Sequence, residues 1–315
     1  MLVWGIFIAV ILIFLALDLG VFNRTPHIIS TKEATKWTAI WVTISLLFSG
    51  VIYWLYSTNI IDNVDNLSST DATLKYITGY LIELSLSVDN IFVIAVIFTS
   101  FKIPLKYQHR VLFWGILGAI VFRAFMIFFG VILINKFSFT TYVFGAFLIF
   151  TAYRMLVSKD EEFHPKKSFV YRQVRKLIPI TSHMNGEHFF VKLKHITAAT
   201  PLFIALIIIE FTDILFALDS IPAILAITSD PFLVFTSNIF AILGLRSMYF
   251  FLSNMLAKFH YLKYSLIVIL TFVGIKLLLA HNYTFPEWFS LTVIAISLMA
   301  GVIVSLKLIN EEDKS

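Results

Sequence analysis

Cysteine is absent from the 315-residue chain. That excludes a disulfide framework, a thiolate metal site and a cysteine nucleophile. Charge is scarce as well: 14% of residues are charged against 59% apolar, and the mean hydropathy is +0.89. A soluble domain of ordinary composition carries about a quarter charged residues, so water is not this chain's main solvent. No G-x-x-x-x-G-K-[ST] run occurs, which excludes a Walker-type ATP site. Histidine is nearly missing from the apolar runs, since none of the eight lies in the middle of one. The formal net charge of +5 does not point to nucleic acid. Its basic residues sit in short loops between apolar runs, the distribution of a positive-inside membrane protein.

What is abundant is long apolar sequence. Runs of the roughly 20 residues that cross a bilayer fall near 2–20, 37–56, 74–98, 111–134, 139–157, 199–227, 235–255, 264–281 and 285–308. They predict an all-α, polytopic transmembrane bundle of about nine helices, with residues 1–315 as one domain. The first run has no basic n-region and no small-residue cleavage site before Asn23 and Arg24, so it reads as a retained helix. Arg24, Lys32 and Lys36 follow the first span, Lys102, Lys106 and Arg110 the third, and Lys258 and Lys263 the seventh. The intervening loops carry Asp62, Asp65, Asp71, Asp230 and Glu287. This alternation predicts an outside N-terminus and a cytoplasmic C-terminus. The one sizeable polar segment, 158–198, holds eight Lys or Arg against four Asp or Glu. It reads as a cytoplasmic loop with an amphipathic helix around Tyr171 to Leu177. His183, Glu187 and His188 within it match no established ligand spacing.

The third span contains Glu83-LSLSV-Asp89-Asn90-Ile91 and the sixth Asp213-ILFAL-Asp219-Ser220-Ile221. Both read acid, five residues, Asp, small polar residue, Ile. Downstream, Ile116-Leu-Gly118 precedes Arg123 and Ile242-Leu-Gly244 precedes Arg246, while Arg154-Met-Leu156 parallels Lys276-Leu-Leu278. Residues 74–157 and 199–281 therefore read as three-helix repeats. An odd number of helices per unit inverts the second copy, as in many secondary transporters with a midplane site between repeats.

Glu83, Asp89, Glu210, Asp213 and Asp219 all fall inside spans. Each ionised carboxylate near the bilayer centre costs roughly 3 kcal/mol on insertion scales, so five cost on the order of 15 kcal/mol without compensation. Arg123, Arg246 and Lys276 supply three cations, as gates or as counter-ions; protons, water or a bound cation must supply the rest. Residues six apart on an ideal helix point about 120° away from each other, so one shared ligand for Glu83 and Asp89 requires a distorted helix. Pro222 offers such a distortion in the sixth span, by freeing the Leu218 carbonyl near Asp219. Asn90 and Ser220 are candidate ligands or caps of broken helix ends. Asp18 is an interfacial residue or a further ligand. Oxygen-only donors suit Mn²⁺, Mg²⁺ and Ca²⁺ better than Zn²⁺, Cu²⁺ or Ni²⁺. The residues alone also allow a proton or sodium relay, or structural ion pairs. An intramembrane aspartyl protease would use paired Asp residues too, but its Tyr-Asp and Gly-x-Gly-Asp motifs do not surround Asp89 and Asp219.

DLGVFNR from Asp18, GYLIELSLSVDNIF from Gly79, QHRVLFWG from Gln108, FALDSIPA from Phe216 and TSNIFAILGLR from Thr236 together resemble the TerC/Alx family, over almost the whole membrane part. The resemblance implies a LysE-related, non-enzymatic protein of the bacterial inner membrane without a prosthetic group. It further implies export of Mn²⁺ from the cytoplasm, where ligand chemistry leaves Ca²⁺ and Mg²⁺ open; without a Walker-type site the energy would come from the membrane potential or from counter-transport of H⁺ or Na⁺. The family's name connects it to tellurite resistance, so a non-transport role in metal or tellurite stress is the alternative.

Overall fold

The computed structural model describes residues 2–17, 29–63, 65–137, 139–157, 165–181, 184, 186–193, 196–253, 262–280, 283 and 285–312. Its helices are α1 (Leu2–Leu17), α2 (Thr31–Ser57), α3 (Ser69–Ser100), α4 (Leu105–Lys136), α5 (Phe139–Val157), α6 (Phe169–Leu177), α7 (Pro201–Leu225), α8 (Pro231–Leu252), α9 (Leu262–Leu279) and α10 (Glu287–Glu312). Eight of these are long and apolar enough to cross a membrane; α1 is apolar but shorter over its described residues. All nine expected spans correspond to helices, while α6 is the amphipathic helix of the polar segment.

Local chemistry sets the helix ends. Ser30, Ser68 and Asp230 accept hydrogen bonds from first-turn amides of α2, α3 and α8, and Pro201 and Pro231 begin α7 and α8, where a missing amide costs nothing. Pro222 does not open the middle of α7 as expected: the helix runs unbroken from Pro201 to Leu225. The proline lies in the final turn, where its carbonyl accepts from the Ala226 amide, so it helps to end the helix. α3 is likewise continuous.

The helices sort their ends as the loop charges require. At one end Tyr56 of α2 donates to Asp230 before α8 at 2.7 Å, and Lys75 of α3 donates to the Ile227 carbonyl beyond α7 at 2.6 Å. Glu287 of α10 pairs there with Lys75 at 3.1 Å and Lys276 of α9 at 3.5 Å. At the opposite end Tyr249 of α8 meets Phe98 of α3 edge-to-face and donates to Gln108 of α4. The acidic loops share the first end and Lys102, Lys106 and Arg110 the second.

Helix α8 is the hub. Every residue from Thr236 to Phe250 is buried, and α2, α3 and α4 pack around it. α4 packs on α7, α3 on α7 and α5 on α9. The last pair crosses at Gly145 and Gly274, where a Cβ on either would stand 3.0 Å from the other's carbonyl oxygen. Such close backbone approach is what small residues permit inside membranes.

The polar segment is more structured than a linker with one helix. It also carries an antiparallel hairpin of β1 (Phe190–Leu193) and β2 (Ile196–Ala199). Arg110 of α4 fastens its approach through an ion pair with Glu187 at 3.0 Å, while His183 lies outside the described residues. Hydrophobic patterning of eight residues is too short to separate such a hairpin from loop.

Candidate functional site

Four helices bring polar side chains together in the middle of the bundle. Glu83 and Asn90 come from α3, Arg123 from α4, Asp213 and Ser220 from α7, and Asn238 from α8; all six are buried. Arg123 is the centre. Its Nη1 is paired with the Glu83 carboxylate and donates to Asn238 Oδ1 at 2.6 Å. Its Nη2 donates to Asp213 Oδ1 at 3.3 Å, its Nε to Asp213 Oδ2 at 3.5 Å, and Nη1 also reaches Ser220 Oγ at 3.5 Å. Two amides complete the network: Asn238 Nδ2 donates to Glu83 Oε2 at 3.3 Å and Asn90 Nδ2 to Asp213 Oδ1 at 2.9 Å.

The planar guanidinium suits this place because it gives both carboxylates donors along fixed directions. At their formal charges two acids and one arginine leave the cluster at a net −1, one positive charge short of neutral, in surroundings where unpaired charge is expensive. Beside Asp213 lies a cavity of about 20 Å³, room for a single water, walled by Ile94, Leu112, Ile116 and Ile209. Asn90 Oδ1 is buried with no hydrogen-bond partner, and Asn90 also lines that cavity.

The other expected site residues lie elsewhere. Asp89 faces the charge of Lys263 at the start of α9, and Asp219 accepts from Thr151 of α5 at 3.0 Å. On unbroken helices the 120° offset separates them from Glu83 and Asp213, so the shared ligand that a distorted helix would have allowed does not form. Glu210 rests against Gly118 of α4, where a Cβ would overlap its carboxylate, at the edge of a cavity of about 540 Å³ lined by Trp114, Phe122 and Phe211. Lys276 pairs with Glu287 and donates to Ser290 at 3.0 Å, away from the midplane acids it was expected to neutralise. Arg246 is buried in α8. Asp18 lies outside the described residues. Among the described residues no group of three or more His, Cys, Asp or Glu is placed to hold a metal. Asn238, which links Glu83 to Arg123, was not among the expected residues; its signal was the polar run Thr236-Ser237-Asn238 inside an apolar span.

The model of the integral membrane protein TerC family matches residues 68–314, from the start of α3 onward. The chain belongs to the TerC family. All six residues of the Arg123 cluster lie inside the matched stretch. Among TerC relatives, an uncharacterized membrane protein STKORF319 of Myxococcus xanthus is 48% identical over 303 residues, covering 96% of this chain and 91% of the relative. The putative membrane-bound redox modulator Alx of Escherichia coli K12 is 43% identical over 310 residues, covering 98% and 94%. An uncharacterized membrane protein of Rickettsia bellii is 45% identical, covering 96% of each chain. No solved structure matches this chain.

Proposed function

We propose that this TerC protein is a secondary transporter that exports a hard divalent cation, Mn²⁺, through the Arg123 cluster. The observation that carries the reading is the donor set: two carboxylates, two side-chain amides and a hydroxyl, all buried in mid-bundle around one cationic group. Hard ions favour such oxygens. In the conformation described, Arg123 takes the place of the ion. An arriving Mn²⁺ would have to displace the guanidinium, and in doing so would carry the charge from one negative to neutral.

Asp89 and Asp219 then act on either side of this centre. Each lies six residues, about 9 Å of helix rise, beyond its repeat partner, and because α3 and α7 run in opposite directions the two displacements point to opposite faces. They are stations on two half-pathways. Helix pairing supports the repeat itself: exchanging α3 with α7, α4 with α8 and α5 with α9 turns the α3–α8 contact into α7–α4 and leaves the α3–α7, α4–α8 and α5–α9 contacts in place. Alternating access by rocking of one repeat against the other follows from that arrangement, with H⁺ or Na⁺ as the counter-ion and the cytoplasm on the basic side.

The relatives named as redox modulators prompt a second reading. A cysteine-free chain cannot exchange thiols, so any redox effect here would run through the metal the protein moves. Purified protein in proteoliposomes should accumulate Mn²⁺ ahead of Zn²⁺ and Ni²⁺, and Glu83→Gln and Asp213→Asn should each abolish it. Absence of uptake of any divalent ion by active, folded protein would leave the non-transport stress role instead.

A further inference from the structure

Helix α6 stands outside every span yet is held at the end of one. Tyr171 packs on Phe101, which caps α3, with ring centroids 5.9 Å apart, and Lys166 Nζ lies 5.8 Å from the same ring. Val170, Tyr171 and Val174 turn into the core. The opposite face is basic. Lys166, Lys167, Arg172, Arg175 and Lys176 are exposed, and no Asp or Glu occurs from Pro165 to Thr181. Phe169 is 62% exposed and Leu177 81% exposed. On an ideal helix Lys176, Arg172 and Arg175 lie about 20°, 60° and 120° to one side of Phe169 and Leu177 about 80° to the other, so the exposed phenyl ring and Leu177 border the cationic stripe.

A face turned only toward water has no use for that ring, whereas a membrane interface has: aromatic side chains settle at headgroup depth while Lys and Arg contact lipid phosphates. We propose that the outer face of α6 docks on anionic phospholipid headgroups of the adjacent leaflet, with Phe169 and Leu177 entering the interface and Arg172, Arg175, Lys176, Lys166 and Lys167 binding the phosphates. The spans keep the helix permanently at that depth, so binding is in effect intramolecular and even modest contacts suffice. The proposal is independent of the Arg123 cluster and of what the protein transports.

The test uses the full chain, whose lack of cysteine allows a single Leu177→Cys variant to carry a polarity-sensitive fluorophore. Reconstituted in phosphatidylcholine nanodiscs, the label should emit as in water. With phosphatidylglycerol added, the emission should shift to the blue, and 1 M salt, which shortens the Debye length to about 3 Å, should reverse the shift. Adding Arg172→Gln and Lys176→Gln should weaken the docking roughly 25-fold, about fivefold for each basic residue removed from an anionic surface, so that the blue shift at a given phosphatidylglycerol content is largely lost. Equal emission in the two lipids, or a shift that ignores salt, overturns the proposal. So does a shift induced in pure phosphatidylcholine by an oligonucleotide or an acidic peptide, which would assign the face to a soluble polyanion. The lipid and salt arms need no charge variant, so misfolding of the double variant would not rescue the idea.

Discussion

Replacing Arg123 by Gln separates its two roles as structural counter-ion and as occupant of the ion's place. The substitution keeps a hydrogen-bonding side chain but leaves Glu83 and Asp213 buried without their shared cation. Removing one partner of a buried ion pair costs about 3–5 kcal/mol, a large share of the 5–15 kcal/mol by which native proteins are stable. Arg123→Gln should therefore melt well below the parent in detergent without metal. A divalent ion can restore the missing charge, and it no longer competes with a guanidinium, so Mn²⁺ should bind the variant at least tenfold more tightly, about 1.4 kcal/mol. At a hundredfold excess over Kd it should return about 2.7 kcal/mol of stability. Thermal unfolding followed across a Mn²⁺ titration reads both numbers. The double variant Glu83→Gln, Arg123→Gln should be less destabilised than Arg123→Gln alone and should lose most of the Mn²⁺ response. If Mn²⁺ stabilises Arg123→Gln no more than the parent, Arg123 does not occupy a cation site and the charge argument fails.

Asn238→Leu leaves Glu83 Oε2 and one Arg123 donor without their amide, which should cost about 1–3 kcal/mol in thermal or denaturant unfolding; an unchanged melting temperature would show that the amide is dispensable. Gly118→Ala forces the Glu210 carboxylate aside and should destabilise by roughly 1–3 kcal/mol, a loss that Glu210→Ala in the same chain should largely relieve; failure of that rescue would place the strain elsewhere. A cysteine at Ser168 should resist impermeant thiol reagents in intact cells, because the basic end is assigned to the cytoplasm, and ready labelling from outside would invert the topology. A cysteine at the buried Ser87 should lose thiol reactivity when Mn²⁺ is bound; labelling from both sides irrespective of Mn²⁺ would indicate an open channel.

The membrane architecture was legible because a bilayer imposes a length and a composition that any single sequence displays. The acidic residues were legible for the same reason: a carboxylate in an apolar run has no inconspicuous explanation. Rotation and pairing were not. The 120° between Glu83 and Asp89 is readable from spacing, yet a bent helix gathering both acids and a straight helix separating them fit the sequence equally well, and only the backbone of α3 decides. Arg123 stood out as a membrane cation, but that it bridges Glu83 of α3 and Asp213 of α7 depends on how four helices pack. Asn238 carries no charge and follows Thr236 and Ser237, whose hydroxyls only bond back to their own helix, so nothing local marks the amide as the one that reaches the cluster. Lys276 shows the limit of charge counting, since its partner Glu287 lies near the end of a span, away from the midplane acids against which the tally of three cations and five acids sets it.

Separating the acids changes what each one must do. Five carboxylates in one cage would bind a divalent ion tightly and release it slowly, and a transporter needs release on the far side. On the proposed reading, two carboxylates held by an internal cation form a site whose empty state is already partly compensated, so the ion would gain only the difference between its own contacts and those of Arg123. That difference can be modest, which keeps binding reversible. It also ties the empty protein to one arrangement of α3, α4, α7 and α8, because the guanidinium bonds span all four. An ion that displaced Arg123, as proposed, would cut those ties at the moment of binding, and a returning guanidinium would restore them on release. On the proposed reading, occupancy of the site and movement of α3 and α4 against α7 and α8 would thereby be coupled through the same side chain.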